Sequence, residues 1–260
     1  ENFDNLRKSA NANLLSGIAR DTLFKIITLK DEPLHTISPE DMHISAHFHY
    51  PITMKDSGDV SVIMVPRGSV GFWVPLGSAA NQDSMFSVPT GHEGFYGLTL
   101  DGQLCFEFPQ MLQLSLGGGI IACKEKQLFA QRLPTSPVQS VVFPWKTDIT
   151  KKPGITWYLN AGYQAIDFIK DLTWSMDYSY IVHEQDEITI INNNALAKTA
   201  FEKGLPRAHR DSFWKDQQIN AGLRYNISST LSFGGAVQGH LDGVNVFNNT
   251  SVLASISLQF

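Results

Sequence analysis

The sequence predicts an all-β chain that forms a transmembrane antiparallel up-and-down β-barrel of about twelve strands, with ten and fourteen as the alternatives. Three observations favour this fold class: long segments in which apolar and polar residues alternate, connections that are alternately short and long, and aromatic residues near the ends of the apolar rows. We expect all 260 residues to form one domain.

Alternation is clearest in residues 252–260. Every second residue there is apolar: Val252, Ala254, Ile256, Leu258 and Phe260. A strand with one apolar and one polar face has this period. A strand of this kind that ends on Phe260 resembles the C-terminal signal of bacterial outer-membrane β-barrel proteins. The resemblance is at the level of the class, and it implies a bacterial outer-membrane location, contact with the lipid bilayer, and recognition of the last strand by the outer-membrane assembly machinery.

Composition narrows the classes of function. The net charge of −5 argues against a nucleic-acid partner. There is no run of 18 or more apolar residues, so the sequence predicts no transmembrane helix. Cys105 and Cys123 fall in adjacent predicted strands, where they either pair in an oxidising compartment or remain free thiols.

The first third of the chain has the weaker pattern. Residues 5–20 fit either a helix or a first strand, residues 23–29 fit a strand, and the assignment of residues 1–40 as a whole stays open. Residues 42–52 alternate clearly. Two further strands, 60–65 and 68–76, are predicted on either side of Pro66, Arg67 and Gly68, because proline is unusual within a central strand.

From Phe95 onward the alternation is sharper. It predicts strands at 95–108, 112–123, 157–164, 172–183, 218–226, 231–241 and 252–260. Two long loops, 124–153 and 184–212, separate some of them and are predicted to be outer loops, of which the second either folds inward as a constriction or lies outside as a binding surface. The second loop is predicted to carry a short helix, 194–203, which Asn194 caps and which Gly204 and Pro206 end.

The short connections all fall on one side of the predicted barrel, as periplasmic turns do in membrane barrels. Most predicted strands have about ten residues or more, which is long enough to cross a hydrocarbon layer. The apolar rows are therefore predicted to face lipid, with a girdle of aromatic residues near the strand ends: Tyr96, Phe108, Trp157, Tyr163, Trp174, Tyr180, Tyr225 and Phe260.

The opposite rows are predicted to line the lumen. These residues are Asp101, Gln103, Glu107, Gln113, Asn160, Gln164, Asp177, Gln218, Asn220, Arg224 and Gln238. Hydrogen-bonding groups and charges of this kind select solutes in pores. The sequence therefore predicts a porin-like channel through which small polar solutes diffuse passively.

Two alternatives stay open. In the first, lumen residues pair with one another, for example Arg224 with Asp177, and plug a barrel whose long outer loops bind a partner or a host surface. In the second, the chain is a soluble β-rich ligand-binding protein.

Specific chemistry is weakly indicated. His43, His47 and His49 share one face of a predicted strand, and imidazoles at this spacing can share a metal ion. No carboxylate in that strand completes such a site, so no metal and no cofactor is predicted. His183, Asp177, His240, Ser232 and Ser179 lie on polar faces, but no Gly-x-Ser-x-Gly motif accompanies them. The sequence therefore predicts no enzyme.

Overall fold

The computed structural model describes residues 41–55, 61–77, 82–83, 93–108, 112–138, 143, 145–191, 194–228, 230–246 and 250–258. The predicted elements within residues 1–40, together with Phe260, lie outside the described residues. The described strands are β1 (Met42–His49), β2 (Ile52–Lys55), β3 (Ser61–Val74), β4 (Gly97–Phe108), β5 (Leu112–Cys123), β6 (Lys126–Arg132), β7 (Lys146–Lys152), β8 (Thr156–Ile169), β9 (Leu172–His183), β10 (Glu187–Ile190), β11 (Trp214–Asn226), β12 (Leu231–Val244) and β13 (Thr250–Leu258). One helix, α1 (Ala195–Ser212), lies among the described residues.

Ten strands form the main sheet, in the order β1-β3-β4-β5-β8-β9-β11-β12-β13, with β2 beside β1 against β3. Every pairing is antiparallel. The prediction of a β-rich antiparallel chain is thus confirmed. No pairing of β13 with β1 or β2 is found among the described residues.

The connections at one end of the main sheet are short, and those at the other end are long except for the five residues between β12 and β13. Three residues separate β4 from β5, two separate β8 from β9, and four separate β11 from β12. The segments from β3 to β4, β5 to β8 and β9 to β11 all leave the opposite end. The predicted alternation of connection lengths is therefore present in the fold.

The prediction of two strands around Pro66 was wrong, because β3 runs unbroken from Ser61 to Val74. Pro66 lies opposite Leu104 in β4, and on its other side its carbonyl accepts a hydrogen bond from the Tyr50 amide at 3.1 Å. The amide and carbonyl of one residue in an antiparallel strand point to the same neighbour. The nitrogen of Pro66, which carries no hydrogen, therefore points to the gap between β1 and β2. Because β3 has no continuous strand partner at this gap, no strand hydrogen bond is lost and the proline is tolerated.

The register separates the main sheet into an apolar face and a polar face. Leu100 pairs with Ile120, and Ile120 pairs with Trp157, so apolar residues meet on one face from strand to strand. The apolar face is exposed: Leu116 exposes 61% of its surface and Ile256 exposes 68%. The residues of the main sheet that are both polar and buried, Ser69, Thr99, Thr173 and Asp216, belong to the other face.

The described residues of the two predicted long loops contain regular structure, so the prediction of 124–153 as a loop was wrong. They supply β6, β7 and β10, which form a three-stranded sheet in the order β10-β7-β6, and also α1. We refer to these four elements as the rim layer. Its centre is a hydrophobic cluster of Leu133, Ile149, Ile188, Ile190 and Phe201.

Helix α1 begins where the sequence predicts it and ends later. The Asn194 side chain accepts hydrogen bonds from the amides of Leu196 at 3.1 Å and Ala197 at 3.3 Å, as an N-cap does. The helix continues to Ser212, through Gly204 and Pro206, which were predicted to end it. A Cβ atom on Gly204 would overlap the backbone of Pro134, so this glycine allows close packing instead of stopping the helix. The described part of the chain holds no helix of the length and apolar character that crossing a membrane requires.

Candidate functional site: the polar face of the main sheet

All eleven residues predicted to line a lumen lie on the polar face. The register places Glu107 opposite Gln113 and Gln113 opposite Gln164. Further along the sheet, Asn220 lies between Asp177 and Gln238. The polar residues therefore form rows that cross seven neighbouring strands, from β4 to β13, where Ser251 lies opposite Gln238.

The described aromatic residues of the predicted girdle lie on the other face or directly before it. Phe108, Trp157, Tyr163, Trp174, Tyr180 and Tyr225 are in strands, and Tyr96 precedes β4. Trp157 packs edge-on against Tyr180 with ring centroids 5.4 Å apart, and Tyr163 packs likewise against Trp174 at 5.2 Å. Tyr96 stacks on Phe72 at 6.0 Å.

Glycines on the polar face let neighbouring side chains lie flat along the sheet. A Cβ atom on Gly162 would come within 2.6 Å of Asp177 Oδ1 and would also meet Ser115 Oγ. A Cβ on Gly119 would come within 2.6 Å of the Tyr158 hydroxyl oxygen. The side chains of Asp177 and Tyr158 thus occupy the space that a larger residue on the next strand would fill, and they extend along the wall.

A chain of hydrogen bonds crosses β11, β12 and β13. Asp216 Oδ1 lies 2.7 Å from His240 Nδ1, and Gln218 donates to the other carboxylate oxygen. Gln238 Nε2 donates to Gln218 Oε1 at 2.6 Å, and Ser251 donates to Gln238 Oε1 at 3.4 Å. These hydrogen bonds run along the sheet from strand to strand, so they hold the polar side chains against its surface.

Arg224 and Asp177, the example given of a pair that would plug the interior, lie far apart on the polar face. Asp177 lies opposite Asn220, and Arg224 lies opposite Thr173, so four residues separate their positions along the ladder. That offset is about 13 Å. No ion pair joins Arg224 and Asp177 in the described structure, so the example of a plugging pair was wrong.

Arg67 belongs to this face and was missed by the sequence prediction. It lies opposite Gln103 in β4 and His49 in β1. The prediction placed it in a connection between two strands because Pro66 precedes it. Three cavities of about 330 to 410 Å³ lie along the polar face, and Arg67 lines two of them. The polar face is therefore concave at several places.

The three histidines suggested as weak metal ligands share the polar face of β1 but do not converge. His43 stacks on Trp73 at 4.2 Å, and its Nε2 lies 3.4 Å from Thr99 Oγ1. His47 Nε2 lies 2.8 Å from Ser45 Oγ. Within the residues that the structure describes, no group of three or more His, Cys, Asp or Glu side chains is arranged to hold a metal ion.

Cys105 and Cys123 are both free thiols. Cys105 lies opposite Ser115, and Cys123 is eight residues further along β5 and opposite Gly97. At about 3.3 Å a residue, roughly 26 Å separates them. A disulfide between them is therefore impossible in this fold.

The rim layer joins the main sheet through Asp186, which is only 6% exposed. Asp186 Oδ1 accepts hydrogen bonds from the Gly154 amide at 2.9 Å and from His183 Nε2 at 3.0 Å. Lys151 Nζ of the rim layer lies 3.0 Å from Asp186 Oδ2. His183 Nδ1 lies 2.7 Å from Thr156 Oγ1 on the polar face. The junction therefore lies on the polar side of the sheet, at the end with the long connections.

The charges at this junction stabilise one another. Burial alone would raise the pKa of Asp186, but the hydrogen bond from His183 and the charge of Lys151 outweigh it and lower the pKa to about 2. Burial would lower the pKa of Lys151, but the carboxylates of Glu93 and Asp186 raise it above its usual value. The ion pair between the rim layer and the main sheet is thus charged over the whole physiological range.

A second polar cluster fixes residues 82–83 to the rim layer. Arg132 donates through Nε to the Gln82 carbonyl at 2.6 Å and through Nη2 to Asp83 Oδ1 at 3.2 Å. Lys146 also contacts Asp83, and the hydrogen bond between them lowers the pKa of the Asp83 carboxyl. The rim layer therefore has an ordered polar surface as well as an apolar centre.

No protein-family model matches this chain, and comparison with curated proteins found no match. The geometry of the polar face is therefore the basis for any statement about function.

Proposed function

We propose that this protein is a porin-like channel of the bacterial outer membrane, in which the main sheet closes into a barrel and small polar solutes diffuse along its polar face. The observation that carries the proposal is the glycine-lined polar face. Because Asp177 and Tyr158 lie over Gly162 and Gly119, these two polar side chains extend along the sheet instead of away from it. A plugged interior would need them to extend inward and pair.

The exposed apolar face supports lipid as the surrounding solvent. Side chains such as Ile44, Leu116 and Ile256 each expose more than half of their surface, and every strand of the main sheet has large apolar side chains that are exposed by more than a third. An apolar surface of this extent is unfavourable in water and suits a bilayer. Lipid offers no hydrogen bonds to unpaired strand edges, so a main sheet that lies in a bilayer has to close into a barrel.

The location and assembly partner rest on the last strand. Residues Thr250–Leu258 form β13, whose apolar residues Val252 and Ile256 face outward with the other exposed rows. We propose that the outer-membrane assembly machinery recognises this strand, and that the short connections face the periplasm.

Planar-bilayer recording tests the channel. The folded protein is expected to give discrete conductance steps, and Gly162→Leu is expected to lower the unitary conductance, because the new side chain displaces Asp177 and Ser115 into the lumen. Gly235→Leu is the matched control. Gly235 lies on the apolar face, and a Cβ there makes only an ordinary contact with the Leu253 carbonyl at 3.8 Å.

Heat-modifiable migration on a denaturing gel verifies that both variants are folded. Absence of conductance from the folded wild-type protein would contradict the channel. Equal conductance of wild type and Gly162→Leu would contradict the open glycine-lined wall.

A second candidate function is a barrel whose rim layer binds a partner or host surface. It is favoured by apolar side chains on and near the rim layer that are unusually exposed: Phe129 at 70%, Trp145 at 63% and Leu196 at 86%. Loss of surface adhesion in a Phe129→Ser, Trp145→Ser variant with unchanged conductance supports this additional role. The soluble ligand-binding alternative predicts recovery from the aqueous fraction without detergent, which the exposed apolar face disfavours.

A further inference from the structure

One cavity on the polar face is bordered by five neighbouring strands. It has a volume of about 330 Å³, and β3, β4, β5, β8 and β9 contribute to it. Arg67 of β3 borders it at one end and Asp177 of β9 at the other. Four interstrand spacings separate these strands along the sheet, about 19 Å. One cavity can reach both residues only because the sheet curves toward its polar face and the side chains extend across it.

Both charged groups are available to a ligand. Neither the Arg67 nor the Asp177 side chain makes a hydrogen bond or ion pair with another described residue. Asp177 leans over Gly162 of β8, which brings its carboxylate toward the strand that carries Arg67. Other carboxylates on this face have partners: Asp101 accepts from Ser69, and Glu107 accepts from Gln113 at 3.3 Å.

Amide groups lie between the two charges. Gln103, Gln113 and Gln164 border the same cavity, together with Ser175. Gln113 Nε2 is engaged by Cys105 Sγ at 2.9 Å and by Glu107, so its carbonyl oxygen is the group left to accept a hydrogen bond. The cavity therefore offers a guanidinium at one end, a carboxylate at the other, and neutral hydrogen-bonding groups between them.

We propose that this cavity binds small zwitterions, with Arg67 holding a carboxylate and Asp177 holding an ammonium group. A guanidinium matches the two oxygens of a carboxylate, and hydrogen bonds between charged groups are stronger than those between neutral ones. The amides suit the peptide group of a dipeptide. A role of this cavity in transport rests on the proposed channel. In that channel, amino acids and short peptides are the preferred class of solute.

The test uses three probes that separate the two charges. Glycylglycine carries both charges, N-acetylglycine carries only the carboxylate, and glycinamide carries only the ammonium group. Dissociation constants are measured by ligand-observed NMR on the full chain folded in detergent, so that binding is detected whether or not the protein conducts. Heat-modifiable migration verifies the fold of each variant.

We expect glycylglycine to bind more tightly than either single-charge probe. Arg67→Gln is expected to weaken glycylglycine and N-acetylglycine about tenfold and to leave glycinamide unchanged. Asp177→Asn is expected to weaken glycylglycine and glycinamide and to leave N-acetylglycine unchanged. Arg210→Gln, on the exposed end of α1, is the matched control and should change none of the three.

The same preparations are recorded in planar bilayers. Conductance without any charge-dependent binding overturns the zwitterion site and leaves the channel standing. Charge-dependent binding without conductance supports the site and contradicts the channel. Equal effects of Arg67→Gln on N-acetylglycine and glycinamide overturn the assignment of the two ends.

Discussion

The main sheet and the rim layer bury their residues in opposite ways. In the rim layer, apolar side chains such as Ile149 and Phe201 are only 2% and 4% exposed, and charged residues such as Lys152 and Glu187 face outward. In the main sheet, Leu116 and Ile256 are more than 60% exposed, and the buried polar residues lie on the other face. One chain therefore contains a region whose apolar side chains are buried and a region whose apolar side chains are exposed, and the proposed place in a bilayer would suit the second.

This difference explains why hydropathy averages say little about the chain. The mean hydropathy of the chain is −0.10, but this average combines a region that buries its apolar side chains with a region that exposes them. The rim layer stabilises itself by removing apolar area from water. The main sheet leaves its apolar area outside, so its stability depends on what surrounds it.

The largest expected effect is on the rim layer alone. Phe201→Ala should destabilise it by about 3–5 kcal/mol, because a fully buried aromatic ring is replaced by a cavity. Hydrogen exchange should then show loss of amide protection in β6, β7 and β10, with β4 and β5 still protected. Glu202→Ala, an exposed neighbour on the same helix, is the control. Loss of protection in both regions together would contradict their independence.

The next prediction tests whether lipid or water surrounds the main sheet. Leu116→Arg should cost about 2–4 kcal/mol of folding free energy in lipid vesicles, since a charge would face the hydrocarbon layer. Leu196→Arg is the matched change at a leucine of the rim layer that is more exposed still, and it should stay within about 0.5 kcal/mol. Denaturant titration in vesicles measures both. Equal small effects would mean that water surrounds the main sheet.

A smaller effect concerns the junction of the two regions. The pKa of Asp186 is lowered to about 2 in the folded protein, so its charged form stabilises the fold above its unfolded pKa of 3.8. This stabilisation, on the order of 1–2 kcal/mol after allowance for solvent screening, should be lost as the pH falls from about 4 to 2. The fluorescence of Trp214, which stacks on His183 at 5.6 Å, reports the change.

Two variants make the acid transition specific. Trp214→Phe identifies the share of the fluorescence that comes from the junction. Asp186→Asn should remove the acid dependence between pH 4 and 2, because the amide does not titrate. An unchanged acid transition in Asp186→Asn would assign the effect to other carboxylates.

The smallest expected effect is at the start of α1. Asn194→Ala should destabilise the helix by about 1 kcal/mol, since the amides of Leu196 and Ala197 lose their acceptor. Hydrogen exchange of the first turn measures it. Asn194→Asp retains an acceptor and should restore protection, whereas an equal loss in both variants would contradict the capping role.

The two faces of the main sheet were predictable from the sequence, because side chains of a strand alternate and the register keeps each row together. Gln113, Gln164 and Asp177 share a face for this reason alone. Arg67 was not predictable in the same way. Pro66 reads locally as a strand breaker, and only the interruption of the neighbouring strand at Tyr50 makes it acceptable.

The strands of the rim layer were not predictable from the sequence, for a different reason. Its strands are short, and a bulge in β6 opposite β7 disturbs the alternation between Leu128 and Gln131. The apolar residues Ile188 and Ile190 of β10 are the local signal that was available. In α1, Gly204 packs closely against Pro134, some seventy residues earlier in the chain, and local patterns do not contain this contact.

In the proposed channel, the ion pair of Lys151 and Asp186 has an electrical consequence. Mobile loops at a pore produce flickering currents. The rim layer has its own apolar centre and an ion pair at its junction with the main sheet, so we expect it to move little. We expect quiet, long-lived open levels near neutral pH. Rapid noise is expected only in acid, when protonation of the Asp186 carboxyl removes its attraction to Lys151 and weakens the junction of the rim layer with the main sheet.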